Sequence, residues 1–261
     1  MRTEDGGSAV SITVIVITKN EEHNIRGCLE SVLWADEIVV VDSESRDKTV
    51  EIARKFTSKV YVEPWLGFAA AKSFGLQNCT SEWVLWLDAD ERVIPELAEE
   101  IRNLVRSNPP EAAFRMKRRA YFLGKWIRHS GWYPGKVTRL FHRERAKFNT
   151  AAIHEGLEVN GAISDLNNDL LHFTDPNLYH YFAKLNRYTS LAAEESFRKG
   201  KRSGHSDLIV RPIWQFFRMY LVRRGFLDGV SGLLLAFLSA SYVLTKYAKL
   251  WELGNSASKS R

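Results

Sequence analysis

The segment WVLWLDADE, residues 83–91, ends an apolar run on two aspartates one residue apart. Tryptophan, valine and leucine at this density make a strand, so Asp88 and Asp90 are carried at its end. Two carboxylates turned toward one small volume repel each other unless they share a hard divalent cation, Mg²⁺ or Mn²⁺. Such an ion keeps coordination positions open for phosphate oxygens. One carboxylate would hold the ion directly, the other through water or by way of a ribose hydroxyl. A three-residue pattern of this kind is common by chance, and Asp90 has a competing role in opening the turn before a helix led by Pro95.

The elements that must position this pair alternate. SITVIVIT (11–18) is rich in β-branched residues and nearly free of charge, as a strand buried on both faces requires. Ile25, Cys28, Leu29 and Val32 then recur at helical spacing. EIVVVD (37–42) is a second buried strand, followed by a helix with Val50, Ala53 and Phe56 on its apolar side. SKVYVE (58–63) reads as a third strand, AAAKSFGLQN (69–78) as a helix and EWVLWLD (82–88) as a fourth strand. The order βαβαβαβ predicts a parallel sheet with right-handed crossovers and helices on both faces. Ligands of such sheets sit beyond the carboxyl ends of the strands. Thr18, Lys19, Asn20 and Glu21, then Asp42 and Ser43, then Asp88 and Asp90, are therefore expected to converge on one crevice.

Charge is unevenly spread. The net charge is +6, but between Phe114 and Phe148 eleven Lys and Arg face a single acid, Glu144, and Arg198–Arg224 is a second basic run. Patches this lopsided favour an anionic partner such as phosphates, nucleic acid or an anionic membrane. An apolar share of 45% belongs to a globular chain. Cys28 falls on an apolar helix face and no motif pairs it with Cys79, which points to a reducing compartment. The first residues show no secretion signal, so a cytoplasmic location is expected.

The blocks TKNEEHNI (18–25), VVVDSESRDKT (39–49), AAAKSFGL (69–76) and WVLWLDADERV (83–93), in this order, resemble the nucleotide-sugar domain of family 2 glycosyltransferases, which have the GT-A fold. WYPGKVTRLFHRE (132–144), IHEGL (153–157) and the segment 170–193 are similar to the lipopolysaccharide-core β-glucosyltransferase subgroup. The resemblance implies an α/β fold with a GT-A type, Rossmann-like, mostly parallel sheet flanked by helices. It assigns Asp42 to reading the nucleotide base, Thr18, Asn20 and Glu21 to the loop along the nucleoside, and Lys72 to a basic position near it. It assigns Asp88 and Asp90 to ribose and metal-diphosphate. Inverting transfer needs one base to deprotonate the acceptor hydroxyl. Glu155 of IHEGL is the candidate, with His154 and His172 as candidates for a metal or diphosphate contact. The synthase motif Q-x-x-R-W is absent, since QFFRM (215–219) lacks the tryptophan, which argues for transfer of a single sugar.

Tyr121, Phe122, Trp126, Trp132 and Tyr133 interleave with basic residues, which suits an anionic glycolipid acceptor; single-stranded nucleic acid also suits it, but no nucleic-acid module accompanies the patch. IVRPIWQFFRMYLVRRGF (209–226) mixes aromatics with arginines, the composition of an interfacial helix. GVSGLLLAFLSASYVLT (229–245) is uncharged over 17 residues, short of the ~20 a spanning helix needs, so an interfacial or re-entrant helix is expected at the inner face of the cytoplasmic membrane. The expected organisation is a catalytic domain (1–195), a basic, membrane-associating helical region (196–254) and a disordered tail (255–261). The expected activity is transfer of one hexose, glucose from UDP-glucose with Mg²⁺ or Mn²⁺, to a lipopolysaccharide inner-core or related lipid-linked glycan. The rivals are a nucleotidyltransferase, which would carry a glycine-rich basic loop where this chain has TKNEE, and a non-catalytic glycolipid or membrane adaptor.

Overall fold

The computed structural model describes residues 11–149 and 156–259, with side chains to residue 256. His154 and Glu155 lie outside the described residues. In chain order the strands and helices are β1 Ile12–Thr18, α1 Ile25–Glu30, β2 Glu37–Asp42, α2 Thr49–Ala53, β3 Val60–Val62, α3 Phe68–Gln77, β4 Trp83–Asp88, β5 Glu91–Val93 and α4 Pro95–Arg106. There follow β6 Ala113–Phe122, β7 Lys125–Trp126, β8 Gly135–His142, β9 Ala146–Phe148, β10 Leu157–Val159, β11 Ile163–Asp175, α5 Leu178–Arg198, α6 His205–Phe217 and α7 Val230–Lys259. The chain forms two compact units, which exchange at residues 118/119, 135/136 and 172/173. The expected boundary at 195/196 is not where the units divide.

The first unit holds residues up to Arg118 together with Lys136–His172. Its sheet runs β3-β2-β1-β4-β8-β6-β11-β5. The four expected strands are parallel, with β1 between β2 and β4. The rest of the sheet is not all parallel, because β8 joins β4 and β5 joins β11 antiparallel. All seven residues of β1 are buried. Val14 and Val16 enter a core with Ile25, Leu29, Leu97 and Ile101, while Ile15 and Ile17 enter a second core against Phe74 and Ala71. Two covered faces explain the continuous apolar run of β1, since each residue has a core to enter whichever way it points. Full burial of such a side chain is worth about 1.5–3 kcal/mol. Helix α4 starts at Pro95, whose missing N–H suits the first turn, and buries Leu97, Ala98, Ile101 and Val105 at helical spacing.

The second unit holds Arg119–Gly135 and the chain from Phe173. The end of β6 turns back onto β7, pairing Tyr121 with Trp126 and Phe122 with Lys125. Leu123 (φ 49°) and Gly124 (φ 78°) make this two-residue turn in the left-handed region, the geometry that follows the twist of a hairpin. Phe122, Ile127, Met219, Leu235 and Ala236 form the local core. Helix α6 contains Pro212 and is continued by a wider π turn, Arg218–Val222, and a 3₁₀ turn, Gly225–Asp228. A proline inside a helix removes a backbone donor, and a π turn is one local adjustment of the ladder. The segment 229–245, expected as an interfacial or re-entrant helix, belongs from Val230 to α7, 30 residues without a break, which is long and apolar enough over Val230–Ser256 to cross a membrane by length and composition. Helix α7 also runs to Lys259, through residues expected as a tail.

Candidate active site

Parallel register brings the carboxyl ends of the strands level. Thr18 lies beside Asp42 and Ile17 beside Asp88. The two loops that follow β1 and β2 are laced together by side-chain-to-backbone hydrogen bonds. The Asn20 amide donates to Ser45 Oγ at 2.7 Å, the Arg46 amide to Asn20 Oδ1 at 2.8 Å, and the Glu21 amide to Thr49 Oγ1 at 2.8 Å. The Glu22 amide donates to Asp47 and the Lys48 amide to Glu22. Asn20 sits at φ 54°, a left-handed conformation asparagine tolerates better than most residues. Asp42 is fully buried and accepts from the Ser45 amide and hydroxyl, so its carboxylate stands at the base of the laced loops. The Thr18 hydroxyl is buried with no hydrogen-bond partner among the described residues.

On the β4 side, Lys72 of α3 lies with its ammonium 3.9 Å from the Trp86 ring centroid, and Phe148 stands edge-on to the same indole at 5.9 Å. Ala69, Lys72, Trp86, Phe148, Gly156 and Leu157 surround a cavity of about 70 Å³ there. Arg139, whose guanidinium carbon lies 3.5 Å from the Trp86 centroid, donates to Asp88 at 2.7 Å and to Glu91 at 2.6 Å. Arg139 is 3% exposed and Glu91 fully buried. Glu91 also accepts from the Asp88 amide. Burial pushes the Glu91 carboxyl above the usual carboxylate range; the Asp88 and Asp90 charges add to this and the Arg139 guanidinium opposes it. Burial, then the Glu91, Asp90 and Asp88 charges, also pushes the Cys28 thiol well up, so it is a neutral packing group beneath the site.

His172 comes from a strand 82 positions after Asp90 in the chain, yet β11 pairs with β5 so that His172 lies opposite Glu91. Its Nε2 is 3.3 Å from Asp90 Oδ2, and both side chains are mostly buried. One carboxylate oxygen and one imidazole nitrogen are a donor pair that fits a divalent ion. No three His, Cys, Asp or Glu side chains are grouped to hold a metal among the described residues, so the remaining positions would fall to ligand oxygens and water. Thr18, Asn20, Glu21, Asp42 and Asp88 thus stand at or just beyond the carboxyl ends of the neighbouring strands β1, β2 and β4, Asp90 follows β4 and meets His172 of β11, and Lys72 lies across from Trp86.

Sequence reasoning missed Arg139 and Glu91. Their signals are present: GKVTRLFH places one charged residue between Val137 and Phe141 on the inward register of a strand, and Glu91 directly follows DAD. A charge at a core position is seldom left unpaired.

Glycosyl transferase family 2 is the family whose sequence profile matches this chain, over residues 13–159. An uncharacterized glycosyltransferase of Rickettsia bellii is 33% identical across 96% of this chain and 90% of its own. The lipopolysaccharide core biosynthesis glycosyltransferase LpsC of Rhizobium meliloti is 29% identical across 91% of this chain and 93% of its own. Among solved structures, the mannosyltransferase PcManGT from Pyrobaculum calidifontis, in complex with GDP-Man and Mn²⁺, superposes with a TM-score of 0.50 at 19% identity, over 96% of this chain and 80% of that one.

Proposed function

The chain belongs to glycosyl transferase family 2 and has the GT-A fold, and from that premise we propose that it moves a single glucose from UDP-glucose, with inversion, onto a lipopolysaccharide inner-core or related lipid-linked glycan. The observation that carries the donor half of this reading is the Asp90–His172 pair, 3.3 Å apart, on the same sheet that carries the buried Asp42 and the laced loops. Asp42 accepts from the uracil ring, Thr18, Asn20 and Glu21 lie along the nucleoside, and Asp88 holds the ribose. Lys72 lies near the nucleotide. Asp90 and His172 hold the divalent ion, which when bound neutralises charge on the leaving diphosphate. The acceptor oxygen attacks the anomeric carbon as the bond to UDP breaks, and its proton passes to Glu155, with His154 orienting that base.

The LpsC relative supports the acceptor class. The acceptor half also motivates a membrane partner. Ile209, Val210, Ile213, Trp214 and Phe217 of α6 are all about half exposed or more, and Arg211, Arg218, Arg223 and Arg224 accompany them in sequence. Exposed aromatics among arginines are what an anionic cytoplasmic leaflet binds.

The test is binding and hydrolysis of a panel of UDP- and GDP-sugars by the purified protein with Mn²⁺, with Mg²⁺ and with EDTA. Metal-dependent selection of UDP-glucose is expected. Selection of another nucleotide sugar would replace the donor, and no binding by folded protein would remove the enzyme reading in favour of an adaptor.

A further inference from the structure

In the first unit Asp88 is held at both ends by a closed ring of hydrogen bonds. Glu91 accepts the Asp88 amide on Oε2 at 3.1 Å and Arg139 Nη2 on Oε1 at 2.6 Å, and the same Nη2 donates to Asp88 Oδ2 at 2.7 Å. Backbone and carboxylate of Asp88 are thereby tied to one anchor. The anchor is dry, with Arg139 3% exposed and Glu91 fully buried, whereas the Asp88 side chain is 34% exposed.

The sheet places the arginine. Strands β4 and β8 pair with Leu85 opposite Leu140, so one step further along Trp86 stands opposite Arg139. Residues two apart on a strand share a face, which puts Asp88 on the same side as Trp86 and Arg139. Trp86 Nε1 donates to the Thr138 carbonyl at 3.1 Å, which pins the indole, and the Arg139 guanidinium carbon lies 3.5 Å from its centroid. A carbon that near a centroid lies over the ring face, because in the ring plane it would overlap the edge atoms.

Stability alone does not ask for this arrangement. A buried guanidinium gains most from a two-pronged fork, in which each carboxylate oxygen takes its own N–H. Here one nitrogen serves two carboxylates, and the buried Arg139 Nε has no hydrogen-bond partner among the described residues. Glu91 has a second cation in Arg118, 3.8 Å away, so Arg139 is not its sole counter-charge. A buried donor left unpaired where a strand ends in a carboxylate points to placement for that carboxylate, since local rules are broken chiefly at functional sites.

We propose that Arg139 is a positioning residue of the donor site: it fixes the rotamer of Asp88 and leaves Oδ1 for a hydroxyl of the nucleotide's ribose. The proposal rests on the reading of Asp88 as the ribose contact. Asp88 Oδ1 accepts from none of the described residues, and Arg139 acts through Asp88, not on the substrate.

The experiment measures binding of UDP, 2′-deoxy-UDP and 3′-deoxy-UDP to the full-length protein by calorimetry, for wild type and Arg139→Lys, with thermal melts to check folding. Lysine keeps the charge, but its ammonium falls one bond short of Nη2 and has no plane to lay on the indole. Wild type is expected to bind at least one deoxy analogue about tenfold or more below UDP, because a hydrogen bond to a charged group is lost. In Arg139→Lys, UDP is expected to weaken about tenfold while that analogue holds, so the ratio falls to within about threefold. A purely structural arginine would weaken all three nucleotides alike and keep the wild-type ratio, and that result overturns the proposal. Equal binding of all three by wild type overturns it too, because Asp88 would then not touch the ribose. Arg139→Gln serves if the Lys variant does not fold, and failure of both to fold makes the arginine structural and overturns the assignment. Wild type that binds no UDP would sink the glycosyltransferase reading and this inference with it, whereas UDP binding with an unchanged ratio in the variant sinks the role of Arg139 alone.

Discussion

Asp90 and His172 lie side by side, and no third His, Cys, Asp or Glu is grouped with them among the described residues, so each should matter to metal use in a way that stability alone does not report. Asp90→Ala is expected to lower donor turnover by about 10²-fold or more, as loss of electrostatic stabilisation of a leaving group does. His172→Ala is expected to raise the Mn²⁺ concentration needed for half-maximal donor binding at least about tenfold, since even loss of a group that supports a metal ligand costs about 10–100-fold. An unchanged metal titration in His172→Ala would remove it as a ligand. Arg139 is read in stability as well. Arg139→Met removes the nearer of the two cations of the buried Glu91 and leaves Arg118, 3.8 Å away and partly exposed, so the cost is expected at or below about 3 kcal/mol. The cost depends on pH with a definite sign. Glu91 already has a raised pKa in the fold, so its folded state favours the proton, and stability from this group is greatest below the ordinary carboxylate range and falls as pH rises. Urea midpoints of Arg139→Met should therefore lie further below wild type at pH 8 than at pH 5, and an equal gap at both would show that the buried Glu91 charge is not what Arg139 compensates. The strand-end aspartates were legible because an apolar run stops on them. Arg139 was not, because one arginine in a basic stretch looks solvated until a sheet turns it inward.

Among the elements, the parallel strands were the legible part. β1 and β2 announce themselves by unbroken β-branched runs, which only burial on two faces explains. β6 and β11 do not: AFRMKRRAYF carries four basic residues on a strand with one wetter face, and ISDLNNDLLHFTD begins polar. Such strands are assembled by pairing partners far away in sequence, which no local pattern reports. Helix α3 illustrates packing at this scale. A Cβ at Gly75 would stand 2.5 Å from Ile15 Cγ2, and Ile15 is a fully buried, β-branched side chain of β1 with little room to turn. Gly75→Ala should thus lower stability by about 1–3 kcal/mol through overpacking, although alanine is the better helix former. Calorimetric melting would check this, and a raised melting temperature would mean that α3 does not approach β1 so closely.

For the whole molecule, the apolar surface of the second unit is the largest departure from a water-soluble pattern. Trp214 is 60% exposed and Phe217 is 46% exposed. If they enter a leaflet, replacing both by alanine should weaken co-sedimentation with phosphatidylglycerol vesicles at least tenfold, at about 2 kcal/mol for each ring. Raising salt should release the wild type in part, since each basic residue near an anionic surface adds about 1 kcal/mol. Retention of the double variant at wild-type levels would place the membrane contact elsewhere. The division into units was hidden from the sequence, because the second unit is made from two stretches of chain and neither is marked by a linker. That division bears on how the protein is made. The amide of Arg128 waits for a carboxylate 100 positions later. At about 5–20 residues per second, a ribosome takes about 5–20 s to deliver Asp228. Through that interval the Arg119–Gly135 loop has neither its buried acid nor α7 to close on, so the nascent chain must pass several seconds with Phe122, Ile127 and Trp132 uncovered.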